Sequence, residues 1–560
     1  MMNHGEKHDF RRYTAAKYLD RLILALLLAG IFLFILYPIC SVVATSFYRD
    51  GHFTLEYYQD LFTEKNARLV RNSLWVSSLS SLITTFFAFF IALAVYSSRG
   101  KRGTYIRNGL LLTMISPPFV SALAYIMLFG RRGIITHQLL GLSVNPYGWH
   151  GVVILQVIGS ISFSSLMMMN SFDSLDHRLI LASRDLGASP SETLVHVIFP
   201  LVRPGILSVL FMLFTMNLAD FGTPVVIGGS FRVLATEAYL QVISASSLGK
   251  ASAISVVMVP AAAVAFFFYC RAMKQNEKAG EYGRYASDGT PSYRPEGLFA
   301  VLTWGTVILF FVVMALKYIN IFLSAVSNTA SGSLKFTLKY FSDLPRSQWD
   351  SFGHSLVYSA AAAAAAAFLG ILLSYYTSRR KLPGMKTVEF LASLPYIIPG
   401  TFFGLGYVAA FSHEPFYIRG TGAIIILNMT YRQLSLTNKT ANARFASLNR
   451  KIEEAARDLG AGRISILFGI ILPLLKQPFA TGFVSIFTSC MTSVGAVIFL
   501  ISPGRNLASS ELFQSIENGR YGVASVQAVF LILVTVGINL AFMAAAGKTG
   551  KGGKSHVPAA

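Results

Sequence analysis

Residues 182–188 read Ala-Ser-Arg-Asp-Leu-Gly-Ala, and residues 455–461 read Ala-Ala-Arg-Asp-Leu-Gly-Ala. Six of the seven positions agree at an offset of 273. The same offset, without a gap, pairs Pro200-Leu201 with Pro473-Leu474, Gln241 with Gln514, Ile243 with Ile516, Gly249 with Gly522, and Ala251-Ser252 with Ala524-Ser525. A register held over so long a stretch marks an internal duplication. Each copy reads as a short charged helix that stops at a glycine, Gly187 or Gly460, with a proline thirteen residues later.

The setting of this repeat is apolar. Of 560 residues, 54% are hydrophobic and only 13% charged, about half the charge of a soluble domain, which rules out a disordered chain and argues against a soluble multidomain enzyme. Mean hydropathy is +0.55. Stretches of about 20 apolar residues, enough to cross a bilayer, lie near 22–44, 70–97, 109–129, 151–170, 195–228 and 251–270. A second set lies near 298–326, 353–377, 387–411, 421–437, 468–500 and 523–545. Two of these, 195–228 and 468–500, exceed one span and are expected to hold a helix followed by a partly buried loop. The first stretch is too long for a cleavable leader and is read as a retained span.

The net charge of +21 would suggest nucleic acid in a soluble protein. Here its placement matters more. With the N-terminus inside, the inner segments carry 31 of the 47 Lys and Arg residues, the outer ones 15, and Arg432 is left beside a span. This bias predicts that both termini and both repeat loops lie on the cytoplasmic side, making the halves parallel repeats. The expected organisation is therefore an all-α, polytopic membrane protein of about 12 transmembrane helices in two parallel six-helix units. The units are 1–270 and 298–560, joined by a polar cytoplasmic linker at 271–297, with loops of interest at about 174–195 and 447–468. The run Ala360 to Ala367 is expected to allow close helix packing.

The second copy runs Glu454-Ala455-Ala456, then Gly460, then Ile470, Leu472 and Pro473. It resembles the EAA loop of ABC importer permeases, matching the spacing EAA-x3-G-x9-I-x-L-P at every fixed position. The first copy departs from it: Leu181 replaces Glu, Ser183 Ala, Val197 Ile and Phe199 Leu, while Gly187 and Pro200 are kept. The resemblance covers nearly the whole chain as two fused permease units. It implies the type I importer permease fold, with each loop inserting a coupling helix into a groove on a cytoplasmic ATP-binding subunit dimer, and with an extracytoplasmic solute-binding protein delivering cargo. Residues implied for ATPase coupling are Ala182, Arg184, Asp185 and Gly187 in the first loop. In the second they are Glu453, Glu454, Ala455, Ala456, Asp458 and Gly460. No Gly-x4-Gly-Lys-Ser/Thr stretch occurs, so ATP is expected to be used by the partner and no cofactor to be bound by this chain. The implied location is the bacterial inner membrane, with lipid rather than nucleic acid as surroundings.

Residues 217–229, Asn-Leu-Ala-Asp-Phe-Gly-Thr-Pro-Val-Val-Ile-Gly-Gly, resemble the first half of fused ferric-iron-type permeases. The same group includes permeases for thiamine, aminoalkylphosphonates and phosphorylated compounds. Asp220, at the end of the fifth span, is costly unless it faces protein or water. Asp220, Asn217 one turn behind it, and Ser493 at the repeat position of Asp220 are the candidate pathway residues, an interhelical contact being the alternative. Arg432 is expected to snorkel or to pair with a carboxylate. Pro117-Pro118 and Pro395 with Pro399-Gly400 suggest related helix breaks, as gates, hinges or packing kinks. Met167-Met168-Met169 cannot share one helix face and reads as packing. The scattered histidines and the three cysteines suggest neither a metal site nor catalysis. A secondary transporter would share the span count but gives no reason for the repeat loops, and a membrane enzyme would need clustered His, Asp or Glu.

Overall fold

The computed structural model describes residues 4–49, 51–98, 101–114, 118–131, 133–142, 145–283, 293–328, 335–380 and 382–550. Among these, nine helices are long and apolar enough to cross a membrane, or eleven with two bent pairs counted as single spans. The first half contains α1 (Lys17–Phe47), α2 (Asn66–Tyr96), α3 (Phe119–Leu139), α4 (Trp149–Phe172), α5 (Pro190–Leu218) and α6 (Leu248–Asn276). The second contains α7 (Gly297–Val326), α8 (Arg346–Arg379), the bent pair α9 (Met385–Ile397 and Gly400–Ala410), α10 (Gly422–Ser447), the bent pair α11 (Arg463–Leu474 and Lys476–Thr492) and α12 (Tyr521–Ala541). The described strands are two-residue antiparallel ladders, Tyr48–Arg49 with His52–Phe53 and Ser327–Asn328 with Lys335–Phe336, one after the first helix of each half.

Two of the expected spans are not simple apolar helices. The stretch 387–411 turns by 109° between its two pieces, at the break that Pro395 and Pro399-Gly400 suggest. Ile398 and Pro399 are extended there, because the residue before a proline is driven out of the helical region. The stretch 421–437 becomes part of a 26-residue helix, about 39 Å long. It is too polar for a lipid-facing span, and its Asn428, Thr430, Ser435, Thr437 and Asn438 are instead buried against protein. The expected linker at 271–297 begins as helix, since the sixth-span helix runs on to Gly283; residues 284–292 lie outside the described residues. The 195–228 stretch is a helix to Leu218, a turn, and a short helix Gly222–Ile227.

The halves repeat one packing plan. In the first, α2 packs on α4 and α5, and α5 on α6; in the second, α8 packs on α10 and α11, and α11 on α12. Ala362, Ala363, Ala366 and Ala367 are fully buried on α8, where small side chains let helix backbones approach. The first helix of each half crosses to the other. The end of α1 packs on the second piece of α9, its Phe34 ring stacks on Tyr431 of α10 at 4.9 Å, and Tyr407 donates to the Phe34 carbonyl at 2.8 Å. A Cβ at Gly30 would sit 2.2 Å from the Tyr431 hydroxyl, so glycine permits that crossing. Reciprocally, α7 packs on α2 and α3. Aromatic contacts between the halves, such as Phe119 with Phe513 at 4.8 Å, join them in one apolar core.

Candidate docking loops and central cavity

Both repeat loops have the same local architecture. The first helix, His177–Asp185, starts at Asp176, whose carboxylate accepts the Arg178 N–H at 2.9 Å. It closes with Gly187 N–H on the Arg184 carbonyl at 3.0 Å and Ala188 N–H on the Ser183 carbonyl at 3.1 Å. The second helix, Lys451–Asp458, closes with Gly460 N–H on Arg457 at 2.8 Å and Ala461 N–H on Ala456 at 2.9 Å. This paired bonding is a Schellman closure, which satisfies the last carbonyls and needs a left-handed residue after the helix. Gly187 (φ +88°) and Gly460 (φ +85°) supply it.

The closure turns the leucine before each glycine outward. Leu186 is 88% and Leu459 89% exposed, the largest exposures among the large described apolar side chains. They are ringed by exposed Ala182, Arg184, Asp185 and Gly187 in one loop, and by Glu454, Ala455, Asp458 and Gly460 in the other. Such an apolar tip with a charged rim has the chemistry of a docking knob. The sequence reading missed both leucines, although they sit in the repeated Arg-Asp-Leu-Gly.

The loops differ in how they are held. Ile180 is fully buried under the first helix, and Tyr96 of α2 meets His177 Nδ1 at 2.9 Å. At the repeat position of Ile180 stands Glu453. It was expected to dock outward, but it is buried, 3.3 Å from Arg379 at the end of α8 and 3.9 Å from Arg457. Burial of an unpaired carboxylate would be prohibitive, so the arginine decides its direction. Beside it, Asp20 of α1 accepts from Arg380 at 2.6 and 2.9 Å and from Tyr376 at 3.1 Å, and lies 3.8 Å from Arg463 of the second loop. Burial opposes the charge on Arg380, but the bonds and attraction from Asp20 outweigh it and hold its guanidinium above the usual arginine value. The second loop is thus tied by charge to the first helix of the opposite half. Ala456 is half-buried against its own bundle.

Between the halves lies a cavity of about 460 Å³. Its walls come from α3, α4 and the end of α5 on one side, and from the break in α9, from α10 and from the end of α11 on the other. Asp220 and Ser493, repeat equivalents, both line it. Asp220 accepts the Thr223 N–H at 3.2 Å and the Gln156 amide at 3.3 Å. Asn217 is absent from the described lining. It is buried and donates to Ser81 of α2 at 3.1 Å, so it sits behind the wall. Arg432 departs from expectation: it neither snorkels nor meets a carboxylate within 4 Å among the described residues, but lines the cavity and donates to Ser493 Oγ at 3.3 Å. The signal available in the sequence was the polar residue in almost every turn of 421–438, unlike a lipid-facing span. Gln433, Ser489 and Thr492 complete the polar wall, with Pro395 and Gly400 from the break. Pro117 of the matching sequence feature lies outside the described residues. Met168 and Met169 are buried as packing. Among the described residues, no group of three or more His, Cys, Asp and Glu gathers.

Comparison with known proteins agrees with this architecture. The family model for the binding-protein-dependent transport system inner membrane component matches twice, over residues 77–271 and 366–548. A ferric transport system permease protein of Actinobacillus pleuropneumoniae is 30% identical over 546 residues, covering 93% of this chain and 78% of that protein. A putative ferric transport system permease protein of Haemophilus influenzae is 31% identical over 508 residues, 86% and 78% respectively. A thiamine transport system permease protein of Brucella abortus is 22% identical over 366 residues, 62% and 64%. The doubled match, the twofold packing plan and the paired loops agree, and the chain belongs to the family of binding-protein-dependent transport system inner membrane components, as a fused two-unit ABC permease.

Proposed function

We propose that this chain is the translocation subunit of an ATP-driven, binding-protein-dependent importer whose cargo is ferric iron. The observation that carries the transport mechanism is the pair of identically closed loops, one in each half and each presenting an almost fully exposed leucine, together with a polar cavity between the halves. Each loop docks on one subunit of a cytoplasmic ATPase dimer, which puts both termini in the cytoplasm. ATP is hydrolysed there and not by this chain. Closure of the dimer moves the two loops together, and the halves rock about the cavity. The first helix of each half packs on both halves, so the two move as a coupled pair. A solute-binding protein then delivers cargo at the opposite face.

The choice of ferric iron is supported by the two ferric permeases at 30% and 31% identity. The thiamine permease at 22% supports the alternative of an organic or phosphorylated solute, such as thiamine or an aminoalkylphosphonate. An ion-coupled secondary transporter would leave the docking loops without a task. The test is uptake of radiolabelled ferric iron into proteoliposomes holding this chain, its ATPase and its binding protein. Uptake is expected to require internal ATP and the binding protein. Uptake driven by an ion gradient without ATPase would overturn the importer assignment, and ATP-driven uptake of thiamine but not iron would overturn the cargo.

A further inference from the structure

The charge balance of the cavity does not suit a bare trivalent cation. Among the described lining residues there is one carboxylate, Asp220, and one guanidinium, Arg432, so the wall is formally neutral. Hard cations held by protein alone need several oxygen ligands, with carboxylates supplying most of the compensating charge. Asp220 offers one carboxylate, already accepting from Thr223 and Gln156. Arg432 presents the opposite chemistry. It has five N–H groups, spends one on Ser493 Oγ, and has no carboxylate within 4 Å among the described residues. A Cβ at Gly400 would lie 2.6 Å from Arg432 Nη2, so the bare glycine at the break in α9 makes the space that the guanidinium fills. A guanidinium at membrane depth with open donors is stabilised by a planar or tetrahedral oxyanion, which it binds through two parallel N–H bonds.

We propose that Arg432 is the oxyanion-binding group of the translocation cavity, and that cargo crosses as an oxyanion-bearing species: ferric ion together with a phosphate- or carboxylate-type anion. This rests on the importer and ferric-iron assignments above. The anion brings the negative charge that the wall lacks, Arg432 holds it, and Asp220 with the hydroxyls of Ser489, Thr492 and Ser493 faces the remainder of the complex. The same donors would accept the phosphonate group of an organic solute, so the two sources of oxyanion need separating.

The experiment uses the complete complex in proteoliposomes. Labelled ferric iron is offered in parallel with 32P-phosphate, 14C-citrate or 14C-bicarbonate, and a 14C-aminoalkylphosphonate is offered alone. The expected result is ATP-dependent accumulation of iron and one anion label in constant ratio. Arg432→Met should reduce both labels about tenfold or more, and Arg432→Lys, which keeps charge without the bidentate fork, should fall between. Iron accumulating with none of the three anion labels overturns the proposal and leaves the ferric-iron assignment standing. Phosphonate uptake without iron, lost in Arg432→Met, supports the oxyanion site and overturns the ferric cargo. The co-transport ratio is read on the unaltered protein and does not depend on how any variant folds.

Discussion

Gly460→Val should separate ATP hydrolysis from transport without unfolding the bundle. At Gly460 the backbone has φ +85°, and a Cβ there would meet nothing within 4 Å. A side chain therefore introduces no clash; its cost is conformational. An L-residue in the left-handed region costs roughly 1–2 kcal/mol, and a β-branched one lies at the upper end. That lowers the share of correctly closed loops by roughly 5- to 30-fold relative to any alternative. The loss is local: the Gly460 and Ala461 N–H bonds open, and Leu459 loses its direction. The assay is ATP hydrolysed per solute delivered in proteoliposomes with the partner ATPase and binding protein. The ratio should rise several-fold for Gly460→Val, and for Gly187→Val, whose φ of +88° and empty surroundings match. Gly460→Asn should stay near the parent value, because asparagine tolerates the left-handed region. A parental ratio in both valine variants, or an asparagine variant as defective as valine, would refute the reasoning.

Three further outcomes follow from the geometry. Asp20→Asn leaves Arg380, only 14% exposed at its side chain, without its charged partner and should cost about 2–4 kcal/mol; a drop of several degrees in the melting temperature of the solubilised protein checks it, and Asp20→Asn with Arg380→Gln should destabilise less than the sum. Gly404→Val places a Cβ 2.2 Å from the Ala496 carbonyl oxygen, backbone that lies beside the cavity wall, and should cost about 1–3 kcal/mol or more; an unchanged melting temperature would count against that close approach. Leu186→Asp and Leu459→Asp should each weaken capture of the partner ATPase by about tenfold or more while the solubilised chain melts as the parent does, and unchanged capture would remove the leucines from the interface.

Much of this protein was legible in one dimension. The duplication, the alternation of apolar spans with basic loops and the glycine closing each loop are local or periodic signals, and the fold class follows from them. The loop glycines are recognisable because only a left-handed position explains a glycine at the end of a charged helix. Side-chain direction at the sites was less legible. Glu453 and Glu454 are adjacent in the same charged motif, yet one faces Arg379 and the other solvent. Asn217 and Asp220 are one turn apart, yet one bonds Ser81 behind the wall and the other lines the cavity.

The sequence by itself determined two six-span units, their register of 273 and the position of the two loops, because hydrophobic length and repetition are properties of the chain alone. Only the tertiary structure decided that α1 and α7 pack on the opposite half as well as on their own, that the two pieces of α9 meet at 109°, and that Arg432 enters the cavity. The physical reason is common to all three. An apolar span can be covered equally well by lipid or by either bundle, and a polar side chain in a span needs a partner whose place is set by helices far away in sequence. Composition measures how much must be hidden from water, while packing chooses which surface does the hiding.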